Sequence, residues 1–176
     1  VRQYRGAFID MVTEMIAKPW VLAGSLLKEK GLTLAAAESC TGGLFSSLIT
    51  DVPGSSDYFT GSVIAYGNDV KIDALSVKPS TIKRYGAVSR QAAKEMALGV
   101  KKAFKAGAAI SITGIAGPGG GSAKKPVGTV FICVSCKERL IVKKFLFEGG
   151  RKSIKKHSAL TAINLLVGLL KEGTLP

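Results

Sequence analysis

Histidine is almost missing from this chain of 176 residues: His157 stands alone, inside the basic run Lys155-Lys156-His157. A Ser-His-Asp or Cys-His mechanism would have to use it, and a solvated place on a helix face is the simpler reading of that run. Cysteine is scarce as well. Cys40, Cys133 and Cys136 make no even disulfide framework, which fits a reducing cytoplasm. Cys133 and Cys136 have chelating spacing, but they fall in the β-branched run from Val127 to Cys136, which reads as a strand. Strand residues three apart point to opposite faces, so no metal site is expected. Long apolar runs are missing too. The longest nearly apolar stretch, Ala159 to Leu170, is too short to span a bilayer and contains Asn164. A signal peptide also fits poorly, because Lys28-Glu29-Lys30 follows the apolar Trp20 to Leu27 where small residues should stand.

Acidic residues are few: 12 Asp and Glu face 25 Lys and Arg, for a net charge of +13. From Lys78 to Lys105 there are eight basic residues against the single acid Glu95. Such a balance suggests an anionic partner. The sequence holds no known nucleic-acid motif, and its aromatics do not interleave with the basic residues as stacking platforms would. A small anionic substrate, or merely solvated helix faces, accounts for the charge better than nucleic acid. Apolar residues at 47% and charged residues at 21% are ordinary globular usage.

No repeat or linker divides the chain. Residues 1–17 read as an N-terminal extension, with Met11 and Met15 as alternative starts, and 18–176 as one domain. Pro19 suits a first helical turn, and the spacing of Val21, Leu22, Leu26 and Leu27 predicts a helix stopping at Gly31. A short strand follows over 32–37, then a helix over 41–50 closed by the turn signal Asp51-Val-Pro-Gly54. A strand is expected over 61–66, a short helix from Asn68 to Leu75, and a long helix capped by Ser89 and reaching about Lys105. Strands at 108–113, 127–136 and 139–147 and a last helix over about 152–170 complete the pattern. Helices alternating with apolar strands, ending in a hairpin, predict a single-domain layered α/β/α sandwich with a mixed sheet.

Three segments could carry chemistry. Ala37-Glu38-Ser39-Cys40-Thr41-Gly42-Gly43 lies at a strand end and a helix start, where unpaired N–H groups and the helix dipole suit an oxyanion or phosphate. A serine cap with glycines permitting tight packing would explain the same residues. Tyr66-Gly67-Asn68-Asp69-Val70-Lys71 offers a lysine that could serve as a base if burial lowers its pKa. A solvated lysine and a core tyrosine are the plainer alternative. Thr113-Gly-Ile-Ala-Gly-Pro-Gly-Gly-Gly121 fits neither the dinucleotide fingerprint nor the P-loop. As a glycine-rich loop at a strand end, with Lys124 and Lys125 on its far arm, it suits a mobile wall around an anion.

These segments, taken in order, resemble the C-terminal domain family of competence/damage-inducible protein A (CinA). The matching stretches are AESCTGG at 37–43, DVPGSSDYF at 51–59, AYGNDVK at 65–71, GAVS at 86–89, ITGIAGPGGG at 112–121 and KPVGTV at 125–130, followed by Gly150-Arg151. The resemblance covers roughly residues 19–170. One departure is that Gly150 stands before Arg151 where the family pattern has aspartate.

The resemblance implies a cytoplasmic, commonly self-associated α/β domain. Its implied reaction deamidates nicotinamide mononucleotide to nicotinic acid mononucleotide and ammonia, with no metal or redox cofactor. In that reading Ser39 is the nucleophile, Lys71 its base, and Tyr66 holds the pair or passes a proton. Cys40 is a rival nucleophile, and neighbours on such a turn are expected to diverge so that only one faces the substrate. Backbone N–H groups of Thr41, Gly42 and Gly43 would hold the oxyanion. The loop with Gly114 and Gly117 would take the phosphate, with Arg151 or Lys125 as charge partner, and Asn68 and Thr113 would orient the carboxamide or ribose. Two alternatives stay open: a catalytically silent nucleotide-binding regulatory domain, and a basic module associated with nucleic acid.

Overall fold

Alanine occupies three of the five positions of the first strand, β1 (Leu34–Glu38), and every residue of that strand is buried. A strand covered on both faces reads as a continuous small or apolar run instead of an alternating one. The chain is described over residues 18–171 in a computed structural model; the expected extension over 1–17 lies outside the described residues. β1 sits in a five-stranded sheet with β2 (Phe59–Ile64), β3 (Ala108–Gly114), β4 (Thr129–Cys136) and β5 (Arg139–Leu146), in the order β2-β1-β3-β4-β5. β1 runs parallel to both neighbours, whereas β3, β4 and β5 are mutually antiparallel, so the sheet is mixed.

Helices cover both faces. On one lie α1 (Pro19–Glu29), α2 (Leu44–Thr50) and α6 (Arg151–Lys171), which bury Leu27, Phe45, Ile154 and Leu166 against Leu34, Ala36, Ile110 and Ile132. On the other lie α3 (Asn68–Leu75), α4 (Pro79–Tyr85) and α5 (Arg90–Ala103), which bring Leu75, Ile82, Met96 and Val100 against Ala35, Ala37 and Ala109. Adjacent residues of β1 thus serve opposite layers, as the pleat requires. Burying a side chain such as Met96 contributes about 1.5–3 kcal/mol. Cys133 and Cys136 likewise go to clusters on opposite sides of the sheet.

The predicted helix over 41–50 begins only at Leu44, because Gly42 and Gly43 adopt positive φ values of 60° and 94° that no α-helix can contain. The helix α4 is an addition to the expected elements; it starts on Pro79 at its first position. Ser89 does cap α5, its Oγ accepting from the Ala92 N–H at 3.1 Å. Among the described residues, no helix is long and apolar enough to cross a membrane.

Candidate active site

The parallel arrangement of β2, β1 and β3 sends their carboxyl ends to one edge of the sheet, where ligands of open α/β sheets bind. Ser39 follows β1 directly, and its N–H still donates to the Ile112 carbonyl of β3 at 2.9 Å. The chain then turns, with the Gly42 N–H donating to the Ser39 carbonyl at 3.1 Å. Ser39 is therefore fixed at its own backbone on both sides and projects from the sheet edge.

Lys71 stands in the first turn of α3, and its side chain is 1% exposed. Its Nζ lies 3.1 Å from Ser39 Oγ, 2.7 Å from the Ala65 carbonyl and 3.2 Å from the Tyr66 carbonyl. Burial lowers its pKa from the ordinary lysine value. A neutral amine has two N–H bonds and one lone pair. The two carbonyls can take both N–H bonds, which leaves the lone pair for the serine hydroxyl. A buried lysine in contact with a serine can act as a base for its hydroxyl without an imidazole.

Ser39 and Cys40 both line the cavity at this edge, contrary to the expected divergence of neighbours. They differ in surroundings. Burial pushes the Cys40 thiol up to about 11, so at neutral pH it is protonated and a poor nucleophile.

The cavity has a volume of about 270 Å³ and is also lined by Tyr66, Asn68, Lys71, Thr113, Gly114, Gly117 and Arg151. Tyr66 is 58% exposed, and its hydroxyl accepts from Arg151 Nη2 at 2.6 Å. Arg151 Nη1 donates to the Gly117 carbonyl at 2.7 Å, so one guanidinium joins the start of α6, the glycine-rich loop and the end of β2. Thr113 Oγ1 donates to the Ala87 carbonyl at 2.9 Å, which ties its proton to the segment before α5.

Four of the residues picked from the sequence are not on the cavity wall. Thr41 is fully buried, and its hydroxyl oxygen has no hydrogen-bond partner. Gly42 uses its N–H within the turn, and Gly43 donates its own to Glu38 Oε2 at 2.9 Å. Lys125 Nζ donates to the Tyr85 carbonyl at 2.7 Å. The glycine-rich loop is met by Arg151 at the Gly117 carbonyl, and Lys125 ties its far arm to the Tyr85 carbonyl.

The helix start that was to offer free N–H groups is occupied. The Glu38 carboxylate accepts from the N–H groups of Gly43, Phe45 and Ser46 and from the Ser46 hydroxyl. No backbone carbonyl of this turn accepts from the N–H groups of Cys40 and Thr41, and the Cys40 N–H lies against its own sulfur. Of these two residues Cys40 lines the cavity and Thr41 does not, so the Cys40 N–H is the one at hand for an oxyanion. His157 lies on the exposed face of α6, its ring 5.9 Å from that of Phe147, away from the cavity.

Sequence reasoning missed the apolar part of the wall, Ala87, Val88, Ile115 and Ala116. The quoted GAVS and ITGIAGPGGG stretches contain them, but small apolar residues carry no chemical signal by themselves. The carbonyls around Lys71 belong to the backbone and were not legible at all.

Residues 20–170 match the model of the CinA C-terminal domain. A CinA-like protein of Syntrophomonas wolfei is 49% identical over 152 residues, which is 86% of this chain and 36% of that protein. A CinA-like protein of Thermotoga neapolitana is 50% identical over 147 residues, 84% of this chain and 36% of that one. The chain thus spans about a third of the length of these curated relatives. Among solved structures, the competence/damage inducible protein CihA of Agrobacterium tumefaciens superposes with a TM-score of 0.82 at 38% identity, covering 86% of this chain and 95% of that one. A CinA superfamily protein of Enterobacter cloacae gives a TM-score of 0.83 at 29% identity, over 87% and 92% of the two chains.

Proposed function

The chain belongs to the CinA C-terminal domain family, and from that premise we propose that it hydrolyses the carboxamide of nicotinamide mononucleotide to nicotinic acid mononucleotide and ammonia. The observation that carries the reading is the 3.1 Å contact between a buried Lys71 Nζ and Ser39 Oγ at the wall of a cavity.

Ser39 Oγ attacks the carboxamide carbon, and Lys71 Nζ takes the hydroxyl proton as the C–O bond forms. The N–H group of Cys40, at the cavity wall, receives the negative charge that develops on the carboxamide oxygen. Loss of one such donor typically costs about 3–4 kcal/mol of barrier. The tetrahedral intermediate collapses with cleavage of the C–N bond, and the nitrogen leaves as ammonia after taking the proton from Lys71. Water then attacks the acyl carbon and gives a proton to Lys71. The C–Oγ bond breaks and the proton returns to Ser39. Amide and water have become acid and ammonia, and the enzyme is restored.

The small apolar wall of Ala87, Val88 and Ile115 suits the flat pyridine ring. Arg151 at the cavity wall suits the phosphate, since guanidinium can grip it with two parallel hydrogen bonds. Its present acceptors, the Gly117 carbonyl and the Tyr66 hydroxyl, are neutral and yield to a dianion.

The deciding experiment incubates purified protein with nicotinamide mononucleotide and assays ammonia, with nicotinamide riboside alongside. Release from the nucleotide, faster than from the riboside and lost in Ser39→Ala, is the expected result. Nucleotide-induced thermal stabilisation without ammonia would instead indicate a silent binding domain.

A further inference from the structure

Glu38 closes β1 and is fully buried beside the nucleophile. A buried charge is costly unless hydrogen bonds compensate it. Four donors converge on this one: Gly43 N–H at 2.9 Å and Phe45 N–H at 3.2 Å on Oε2, and Ser46 N–H at 2.9 Å and Ser46 Oγ at 2.6 Å on Oε1. Together they satisfy the first turn of α2, whose own N-cap, Gly43, has no side chain to do so.

A local cap would be simpler chemistry, because serine, aspartate or asparagine at that position serves most helices. Here it is excluded. Gly43 has a φ of 94°, and Ile64 Cδ1 lies 3.3 Å from where a Cβ would stand. The cap has to come from elsewhere, and it comes from the residue that shares a peptide bond with Ser39. α2 spans only seven residues, too few to hold its first turn unaided. Losing the carboxylate would free the far end of the Ser39–Gly43 turn.

We propose that Glu38 is a positioning residue for Ser39: its carboxylate ties the first turn of α2 to the end of β1, which holds Ser39 Oγ against Lys71 Nζ and keeps Cys40 at the cavity wall. This rests on Ser39 being the nucleophile. It differs from a general stabilising role because the bonds bracket the five-residue turn that carries the reacting hydroxyl and the Cys40 N–H. Glu38→Gln keeps the shape but turns an amide N–H toward backbone N–H groups. Displacement of a reacting group by about 1 Å can cost roughly 10²-fold in rate.

The test measures two things on wild type, Glu38→Gln and Ser46→Ala. One is kcat and KM for ammonia release from nicotinamide mononucleotide, and the other is the rate at which a fluorophosphonate labels Ser39. The folded fraction at the assay temperature is read by circular dichroism. Expected for Glu38→Gln are a kcat lower by roughly 10²-fold, a largely unchanged KM and a parallel fall in labelling rate, all with the protein folded. Ser46→Ala, which removes one donor of four, should lose less in the same direction.

Labelling of Glu38→Gln at the wild-type rate overturns the proposal, as does a kcat loss equal to the unfolded fraction. If wild type is labelled at Ser39 but releases no ammonia, the substrate reading fails and Glu38 is judged on labelling alone. Absence of wild-type labelling overturns both. Should Glu38→Gln not fold, Ser46→Ala decides, and an unchanged labelling rate there counts against the role.

Discussion

Lys71 Nζ and Ser39 Oγ meet at 3.1 Å although 32 residues separate them in the chain. The contact arises because β1 and β2 are parallel neighbours, so their carboxyl ends and the segments that leave them share one edge. The helix that follows β2 brings its fourth residue back over the end of β1. Burial lowers the amine's pKa, and the field of a helix N-terminus also disfavours a cation there. The protonated form cannot accept the serine proton. The rate of ammonia release should therefore rise with pH through an apparent pKa below the ordinary lysine value of about 10.4. Lys71→Ala should lose roughly 10²–10⁴-fold in kcat. A flat pH profile, or an active alanine variant, would remove Lys71 from the role of base.

Two adjacent residues compete for the role of nucleophile, and their environments separate them. Ser39 has Lys71 within hydrogen-bond distance, whereas Cys40 carries a thiol pushed up to about 11 by burial. Ser39→Ala should abolish turnover, on the order of 10⁴-fold or more. Cys40→Ala should keep most of it, and alkylation of Cys40 at neutral pH should be slow. The discriminating measurement is ammonia release by both variants. Loss confined to the cysteine variant would reverse the assignment.

Arg151 binds two neutral acceptors now, and in the proposed complex it would bind a phosphate. A charge-assisted hydrogen bond contributes about 1.5–3 kcal/mol, so Arg151→Ala should raise KM for nicotinamide mononucleotide by roughly 10–100-fold. The same variant should leave KM for nicotinamide riboside nearly unchanged. Tyr66→Phe removes one present partner of the guanidinium and should alter KM less. Equal effects on nucleotide and riboside would mean that Arg151 only shapes the loop.

The layered architecture was legible because both faces of β1, β3 and β4 are buried, and burial on two faces leaves near-continuous apolar runs. Most helices announced themselves by caps and breakers such as Pro19, Gly31 and Ser89. The start of α2 did not, because the departure lies in the φ values of Gly42 and Gly43, and glycine permits either a helix or a turn. The same uncertainty hid the hydrogen bonding of Glu38 to the start of α2. An acidic residue at a strand end looks like a surface charge until the fold turns the following helix onto it. Ser39, Lys71, Tyr66 and Arg151 could be picked as chemistry-bearing types. Their mutual distances depend on strand order, which no local pattern encodes.

Gly150 precedes α6 and acts as its N-cap, its carbonyl accepting from the Ile154 N–H at 3.0 Å. The first turn that follows contains no acid and opens with Arg151 and Lys152, with Lys155 and Lys156 close behind. Cations at a helix N-terminus oppose the macrodipole, and glycine offers no side-chain oxygen to the free N–H groups. Nothing lies within 4 Å of where a Cβ would stand at position 150. Gly150→Asp should therefore be accommodated without a clash, cap the helix and relieve the charge, for a gain of about 0.5–1 kcal/mol. For a chain of this length that corresponds to a rise in Tm of about 1–4 °C. The electrostatic share should shrink in high salt, so the gain measured by calorimetry at low ionic strength should exceed that in 1 M salt. A Tm that falls, or a gain indifferent to salt, would mean that the basic first turn of α6 is already compensated.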